Sequence, residues 1–197
     1  MRLKIVLAAL FLTASISALG QVAPAATREA GLPLSVGGGV TLMYLDWGGG
    51  RKMIGPVIWA DWNLSHMPRI LDGLGIEIEG RDIAYEKPAS IPRMRQQTFG
   101  GGAIYTLRRF QNIHPYGKFL IDYGKLDFKV SNPAYFTDSR TVFVMGGGAE
   151  YHLRGHFWVR GDYEYQAWPK LFQGLHTLDP QGITLGASYK FGHRIQP

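Results

Sequence analysis

From residue 34 onward the chain alternates apolar and polar positions in short stretches, with no sustained helical period. Eight such stretches predict strands at 34–45, 55–64, 73–82, 97–108, 115–123, 141–152, 156–167 and 182–192. Their connections alternate in length. Those after the second, fourth and sixth are short (65–72, 109–114, 153–155), and those after the third, fifth and seventh are longer (83–96, 124–140, 168–181). The first, 46–54, is intermediate and contains Gly48-Gly49-Gly50. A weak repeat runs through the strands: FGGGAIYTLR at 99–108 and MGGGAEYHLR at 145–154, with VGGGVTLMY in the first and LGASYKF in the last. It sets Tyr105 and Tyr151 at one depth, with Tyr189 near it.

Successive side chains on a strand point to opposite faces, so each stretch divides in two. One face carries no charge: Val36, Val40 and Leu42, then Ile58 and Ala60, Ile76 and Ile78, and so on to Ile183, Leu185 and Ala187. The other holds Asp61, Glu77, Glu79, Arg81, Arg108, Lys118, Asp122, Glu150, Arg160, Asp162, Glu164 and Lys190. Three of these share a face in the third strand, two in the fifth and three in the seventh. The aromatics of the uncharged face gather near strand ends: Tyr44, Tyr123, Phe143 and Tyr165 at the loop end, Trp62, Tyr105, Tyr151, Phe157 and Tyr189 at the turn end.

An eight-stranded barrel is only just wide enough to be filled by side chains, so it has no room inside for that many aromatics. The apolar face therefore turns outward to lipid and the charges turn inward. Inward glycines (Gly37, Gly39, Gly100, Gly102, Gly146, Gly148) make room for long charged side chains opposite. The aromatics then form interfacial girdles. An even number of antiparallel strands with short turns at one end and long loops at the other is how bacterial outer-membrane barrels are built. The expected fold is all-β: an eight-stranded antiparallel transmembrane β-barrel with short periplasmic turns and longer extracellular loops.

Composition narrows the picture further. The chain has 197 residues with 26 glycines, nearly twice the usual share of about 7%. Aromatics make up 13% and charged residues only 18%, which excludes disorder. The absence of cysteine excludes disulfides, cysteine zinc sites, thiol nucleophiles and a lipidated N-terminal cysteine. Arg2 and Lys4, the uncharged stretch 5–19 and the small residues before Gly20 form a signal-peptide pattern with a cut after Gly20. The stretch is shorter than the roughly 20 residues a membrane helix needs. Its removal takes the net charge from +6 to +4, too mild to point to nucleic acid. The expected organisation is a signal peptide at 1–20, a periplasmic segment at 21–33, the barrel at 34–192 and a tail at 193–197.

The strand count, the outward aromatic bands, the inward charges and the final strand ITLGASYKF together resemble the OmpA/OmpX-type family of small eight-stranded outer-membrane barrels, a porin-like architecture. The resemblance covers nearly all of the mature chain. It implies that Ile183, Leu185, Ala187, Tyr189 and Phe191 form the C-terminal signal read by the barrel assembly machinery, with periplasmic chaperones as earlier partners. The sequence departs from the family in that GHRIQP follows Phe191. No peptidoglycan-binding domain follows, so wall anchoring is not expected.

The candidate chemistry resolves mostly into structure. The inward charges read as an ion-pair network filling the barrel, with a polar pore as the sharper alternative. Glu77 with Glu79 and Asp162 with Glu164 are same-face carboxylate pairs, but Arg81 and Arg160 stand two residues away and make ion pairing the simpler account. His152 and His156 flank a turn and lack the Glu of a zinc helix. The glycine triplets match neither phosphate-loop order. The segments EKPASIPRMRQQ at 86–97 and KVSNPAYFTDSR at 129–140 place Pro, aromatic and basic residues in the outer loops. A lipid A-modifying enzyme would need an activated Ser beside His and an acid. None of Ser35, Ser65, Ser90, Ser131, Ser139 and Ser188 lies in a His-x-Ser arrangement.

The sequence thus predicts a non-enzymatic outer-membrane barrel of a Gram-negative-type bacterium, structural in the envelope or binding through its loops. A narrow pore and a lipid A-modifying enzyme are the alternatives. Outer-membrane lipid, including lipopolysaccharide, is the expected partner. No cofactor, metal or catalytic residue is expected, and a closed barrel needs no second copy to cover its edges, so a monomer is expected.

Overall fold

The computed structural model describes residues 33–45, 51–64, 68, 71–85, 94–129, 135–170 and 176–191. The expected signal peptide, the segment 21–32, the tail, and the stretches 46–50, 86–93, 130–134 and 171–175 lie outside these residues.

Among the described residues, nine strands follow in chain order: β1 (Leu34–Leu45), β2 (Arg51–Asn63), β3 (Leu74–Tyr85), β4 (Met94–Thr106), β5 (Ile113–Lys129), β6 (Tyr135–Arg154), β7 (Phe157–Lys170), β8 (His176–Leu178) and β9 (Gln181–Lys190). The last two form one stave, interrupted at Asp179-Pro180, since proline has no amide hydrogen to give a ladder. Each stave pairs antiparallel with the next, and β9 returns to β1 through Ser35↔Lys190 to Tyr44↔Gln181. Eight staves therefore close into a barrel. Closure satisfies the backbone groups between strands, the condition for crossing lipid. At the turn end, Gly155 adopts φ 59°, which lets Gly155-His156 join β6 to β7 in two residues.

The outer wall is apolar through the middle of the barrel. Ile58, Phe99 and Leu185 are each about two-thirds exposed there (67%, 65% and 65%). A water-soluble barrel would bury such a band, whereas lipid requires it.

The strands continue past that band at the loop end, further than the alternation of charge predicts. β3 runs to Tyr85 rather than 82, β4 starts at Met94 rather than 97, β5 reaches Lys129 rather than 123, and β6 starts at Tyr135 rather than 141. The connections there are accordingly shorter than the sequence suggests. The cause is an inversion of the pattern. Outward positions become polar (Asp82, Arg95, Gln97, Lys125, Asp127), while inward positions become apolar (Ile83, Met94, Leu126). These inward residues join Met43, Leu45, Met53, Leu120, Val142, Val144, Trp168 and Leu178 in one buried cluster.

Candidate functional site: the barrel interior

Below that apolar plug, β2, β3, β5 and β7 converge their charges on the barrel axis. Arg81 on β3 reaches across the lumen to Glu164 on β7, donating Nη1 to Oε1 at 3.0 Å and Nη2 to Oε2. Its Nη2 also donates to Glu79 at 2.6 Å. Lys118 on β5 donates to Glu79 (2.7 Å), Glu164 (3.1 Å) and Glu77 (3.2 Å) and lies 3.7 Å from Asp162. Arg160 on β7 donates to Glu77 at 2.7 Å and to Asp162 at 3.2 Å, and stands 3.4 Å from Asp61. These side chains are almost wholly buried. Charges removed from water persist only when paired and hydrogen-bonded, and here each cation serves several carboxylates.

Aromatic rings close the turn-side half. The Arg160 guanidinium lies 4.7 Å over the Trp59 ring and 4.5 Å over Tyr116. The Tyr116 hydroxyl accepts from Arg160 Nε at 2.7 Å and donates to Asp162 at 2.6 Å. Nearer the turns, Lys190 pairs with Glu150 and sits 4.0 Å over Trp158. Gly37 and Gly186 provide the slot for Trp59: a Cβ on either would meet its indole. Gly146 instead makes room for Glu164 and Lys118. Between the charges and the plug lies a neutral layer, in which Gln96 donates to Gln166 at 2.7 Å and Trp168 Nε1 donates to the same oxygen at 3.0 Å.

Of the twelve charges expected inside, the structure brings Asp61, Glu77, Glu79, Arg81, Lys118, Asp122, Glu150, Arg160, Asp162 and Glu164 into the interior, with Lys190 at its turn-side edge. Arg108 is a correction. β4 ends at Thr106, so Arg108 belongs to the turn, where its side chain is 42% exposed and bonds Asn63 at 2.8 Å. Of the expected set, the described interior thus keeps seven carboxylates and four cationic side chains. Among the described residues, no hydrogen bond reaches either oxygen of Asp122.

The aromatics named for the girdles all lie on the outer face: Tyr44, Trp62, Tyr123, Phe143, Tyr151 and Phe157 are exposed, and Tyr105, Tyr165 and Tyr189 half-buried. Ile183, Leu185, Ala187 and Tyr189 face outward along β9. Phe191 lies one residue past the strand, with its ring 4.9 Å from Tyr189. His152 and His156 are used by the turn, bonding the carbonyls of Gly155 and Lys190, each at 2.9 Å. No group of three or more metal-ligating side chains converges among the described residues. Charge counting missed Tyr116, Gln96, Trp59 and Trp158. Tyr116 and Trp59 share parity with Lys118 and Asp61, so the inward face itself was the signal.

The comparisons agree with this geometry. Residues 8–191 match the family of outer membrane protein beta-barrel domains. The fold is similar to that of Neisserial surface protein A, at 14% identity and a TM-score of 0.67 over 83% of this chain and 100% of that one. It is similar to Ail, the attachment invasion locus protein of Yersinia pestis, at 18% identity and a TM-score of 0.59, covering 80% and 97%. OprG of Pseudomonas aeruginosa follows at 13% identity and 0.53, covering 80% and 95%. No curated protein matches in sequence. A closed eight-stave barrel with an apolar outer band and a charged interior, matched over most of its length, is an outer-membrane barrel: the chain belongs to the outer membrane protein beta-barrel domain family.

Proposed function

We propose that this chain is a sealed, non-enzymatic barrel, exported by its N-terminal signal peptide to the outer membrane of a Gram-negative-type bacterium, where it acts as a monomer through its surface loops. The observation that carries this reading is the stacking of two fillings along one axis. Cross-lumen ion pairs occupy the middle, and the apolar plug of Ile83, Leu126, Val144 and Trp168 lies above them. A conducting path would need continuous water, and dry apolar packing at the loop end opposes it. With the interior spent on structure, the surface-facing loops are what remain for binding or for envelope integrity.

The described serines favour the non-enzymatic reading. Ser35 and Ser188 are buried inside the barrel, and Ser139 lies outward on β6 with its amide bonded to Asp138 at 2.8 Å. None of these environments supplies a histidine base to a hydroxyl.

The test compares a deletion strain complemented with the whole protein and with a barrel whose segments 86–93 and 130–134 are replaced by short Gly-Ser connections. Detergent sensitivity and uptake of a large apolar dye are measured in both. The reading predicts that the shortened barrel behaves like the deletion strain while reaching the outer membrane folded. Full restoration by the shortened barrel contradicts it. Lipid A mass spectra are predicted to be the same in all strains, and a new lipid A species would overturn the non-enzymatic part.

A further inference from the structure

Asp122 and Thr98 hold three buried oxygens that make no hydrogen bond among the described residues. Both side chains point into the barrel, with exposures of only 2% and 4%. Strand register sets them side by side. Asp122 on β5 is the ladder partner of Gly100 on β4, and Thr98 is the next inward residue on β4 toward the loops. Gly100 makes room for the carboxylate, since a Cβ there would collide with Asp122 Oδ1. Folded interiors leave few buried polar atoms unbonded, so three in one place call for a partner.

The charges around Asp122 balance without it. Glu79 and Arg81 face it from β3, Lys118 from β5 itself and Glu164 from β7. These two carboxylates and two cations already pair with one another, each cation touching both carboxylates. On the neighbouring strands, β4 adds only Gly100 and Thr98, and β6 adds Val142. Arg140, nearer the loops on β6, is turned to Asp138 at 3.3 Å. Asp122 thus contributes one negative charge with no described cation bonded to it, in an interior where seven carboxylates meet four cationic side chains.

We propose that Asp122 and Thr98 bind one monovalent alkali cation, taken up as the barrel folds. A proton, a water and a cation are the candidate partners, and the set of orphaned atoms separates them. A proton neutralises the carboxylate but leaves the Thr98 oxygen without a partner. A water bonds the oxygens but leaves the charge, which is costly away from bulk solvent. A hard cation answers both needs, because carboxylate and hydroxyl oxygens are its preferred ligands. One uncompensated carboxylate matches one unit of positive charge, whereas a divalent ion wants more carboxylates than the site offers. Arg81 Nε, which also lacks an acceptor among the described residues, suits a water in the ion's shell. The apolar plug lies on the loop side of the site, so the ion is held there and stiffens the junction of β4 and β5.

The test refolds wild type, Asp122→Asn and Thr98→Val in lipid vesicles containing sodium, potassium or tetramethylammonium chloride at one ionic strength. Tetramethylammonium is too bulky for the site and keeps charge screening constant. Urea midpoints are followed by tryptophan fluorescence, with folding checked by heat-modifiable gel mobility. The expected result is a wild-type midpoint higher by roughly 1 M urea in an alkali salt than in tetramethylammonium. Asp122→Asn needs no ion and will keep one midpoint in all three salts, and Thr98→Val will show a reduced difference. Equal wild-type midpoints in the three salts, the outcome for a proton or a water alone, would overturn the proposal. The wild-type salt dependence persisting in Asp122→Asn would overturn it too. Should the variants not fold, anomalous diffraction from wild-type crystals grown in rubidium chloride decides. A rubidium peak between Asp122 and Thr98 is expected, and its absence overturns the assignment.

Discussion

Glu79 and Ile83 point into the barrel from the same face of β3, four residues apart, and meet opposite surroundings. Glu79 is bound by Arg81 and Lys118 in the ion network, while Ile83 is fully buried in the apolar plug. The outward face inverts in the same step, from Ile78, half exposed to lipid, to Asp82, paired with Arg95 at the polar rim. One strand thus passes from a solvent that demands an apolar outside to one that demands an apolar inside. The interior is closed differently on each side of that boundary.

The inversion predicts a sharp contrast between neighbours on β5. The chain has no cysteine, so single-cysteine variants report one site each. A membrane-impermeant maleimide added to the folded protein will label Lys125→Cys readily and Leu126→Cys at least tenfold more slowly, until denaturation equalises them. Equal rates in the folded state would mean that the plug is wet.

The cross-lumen pairs predict where stability resides. Glu164→Gln removes the charge that Arg81 and Lys118 share from the opposite wall. Breaking one partner of a buried pair costs about 3–5 kcal/mol. Urea unfolding of the barrel in lipid vesicles, followed by tryptophan fluorescence, will show a lower midpoint, and an unshifted midpoint would contradict the assignment.

Asp122 predicts the reverse. Its carboxylate is buried without a hydrogen-bond partner among the described residues, in an interior that already has more carboxylates than cations. Neutralising an uncompensated buried charge is not costly. Asp122→Asn will match or exceed wild type in the same unfolding assay. A loss comparable to that of Glu164→Gln would show that Asp122 holds a structural contact.

Two adjacent glycines on β1 separate inward from outward packing. A Cβ on Gly37 would run into the Trp59 indole, whereas one on Gly38 would meet only ordinary contacts, 3.4 Å from the Val57 carbonyl and 3.7 Å from Ile58. Gly37→Ala is expected to cost about 1–3 kcal/mol by overpacking. Gly38→Ala will unfold near wild type. Similar midpoints for the two would place Trp59 elsewhere.

Much of this was legible in the sequence, for a reason the strands make plain. Where lipid surrounds the barrel, one face of every strand must be apolar, so Glu77, Glu79 and Arg81 or Arg160, Asp162 and Glu164 mark the inward face by charge alone. The ends were not legible on the same rule. Past Asp82, Gln97 and Tyr123 the alternation continues with its sign reversed, and a reader following charge takes the reversal for the end of a strand. Arg108 fails for a related reason: it keeps the parity of the inward face after the strand has stopped at Thr106. The partners across the lumen, such as Arg81 with Glu164, depend on barrel closure and stagger, which no local pattern encodes.

An ion network beneath an apolar plug predicts a sealed barrel. Single-channel recording of the folded protein in a planar lipid bilayer tests it most directly, once heat-modifiable mobility has confirmed folding. A membrane that contains the folded barrel and remains electrically silent is the predicted result. Reproducible discrete conductance steps from the wild-type protein would contradict it.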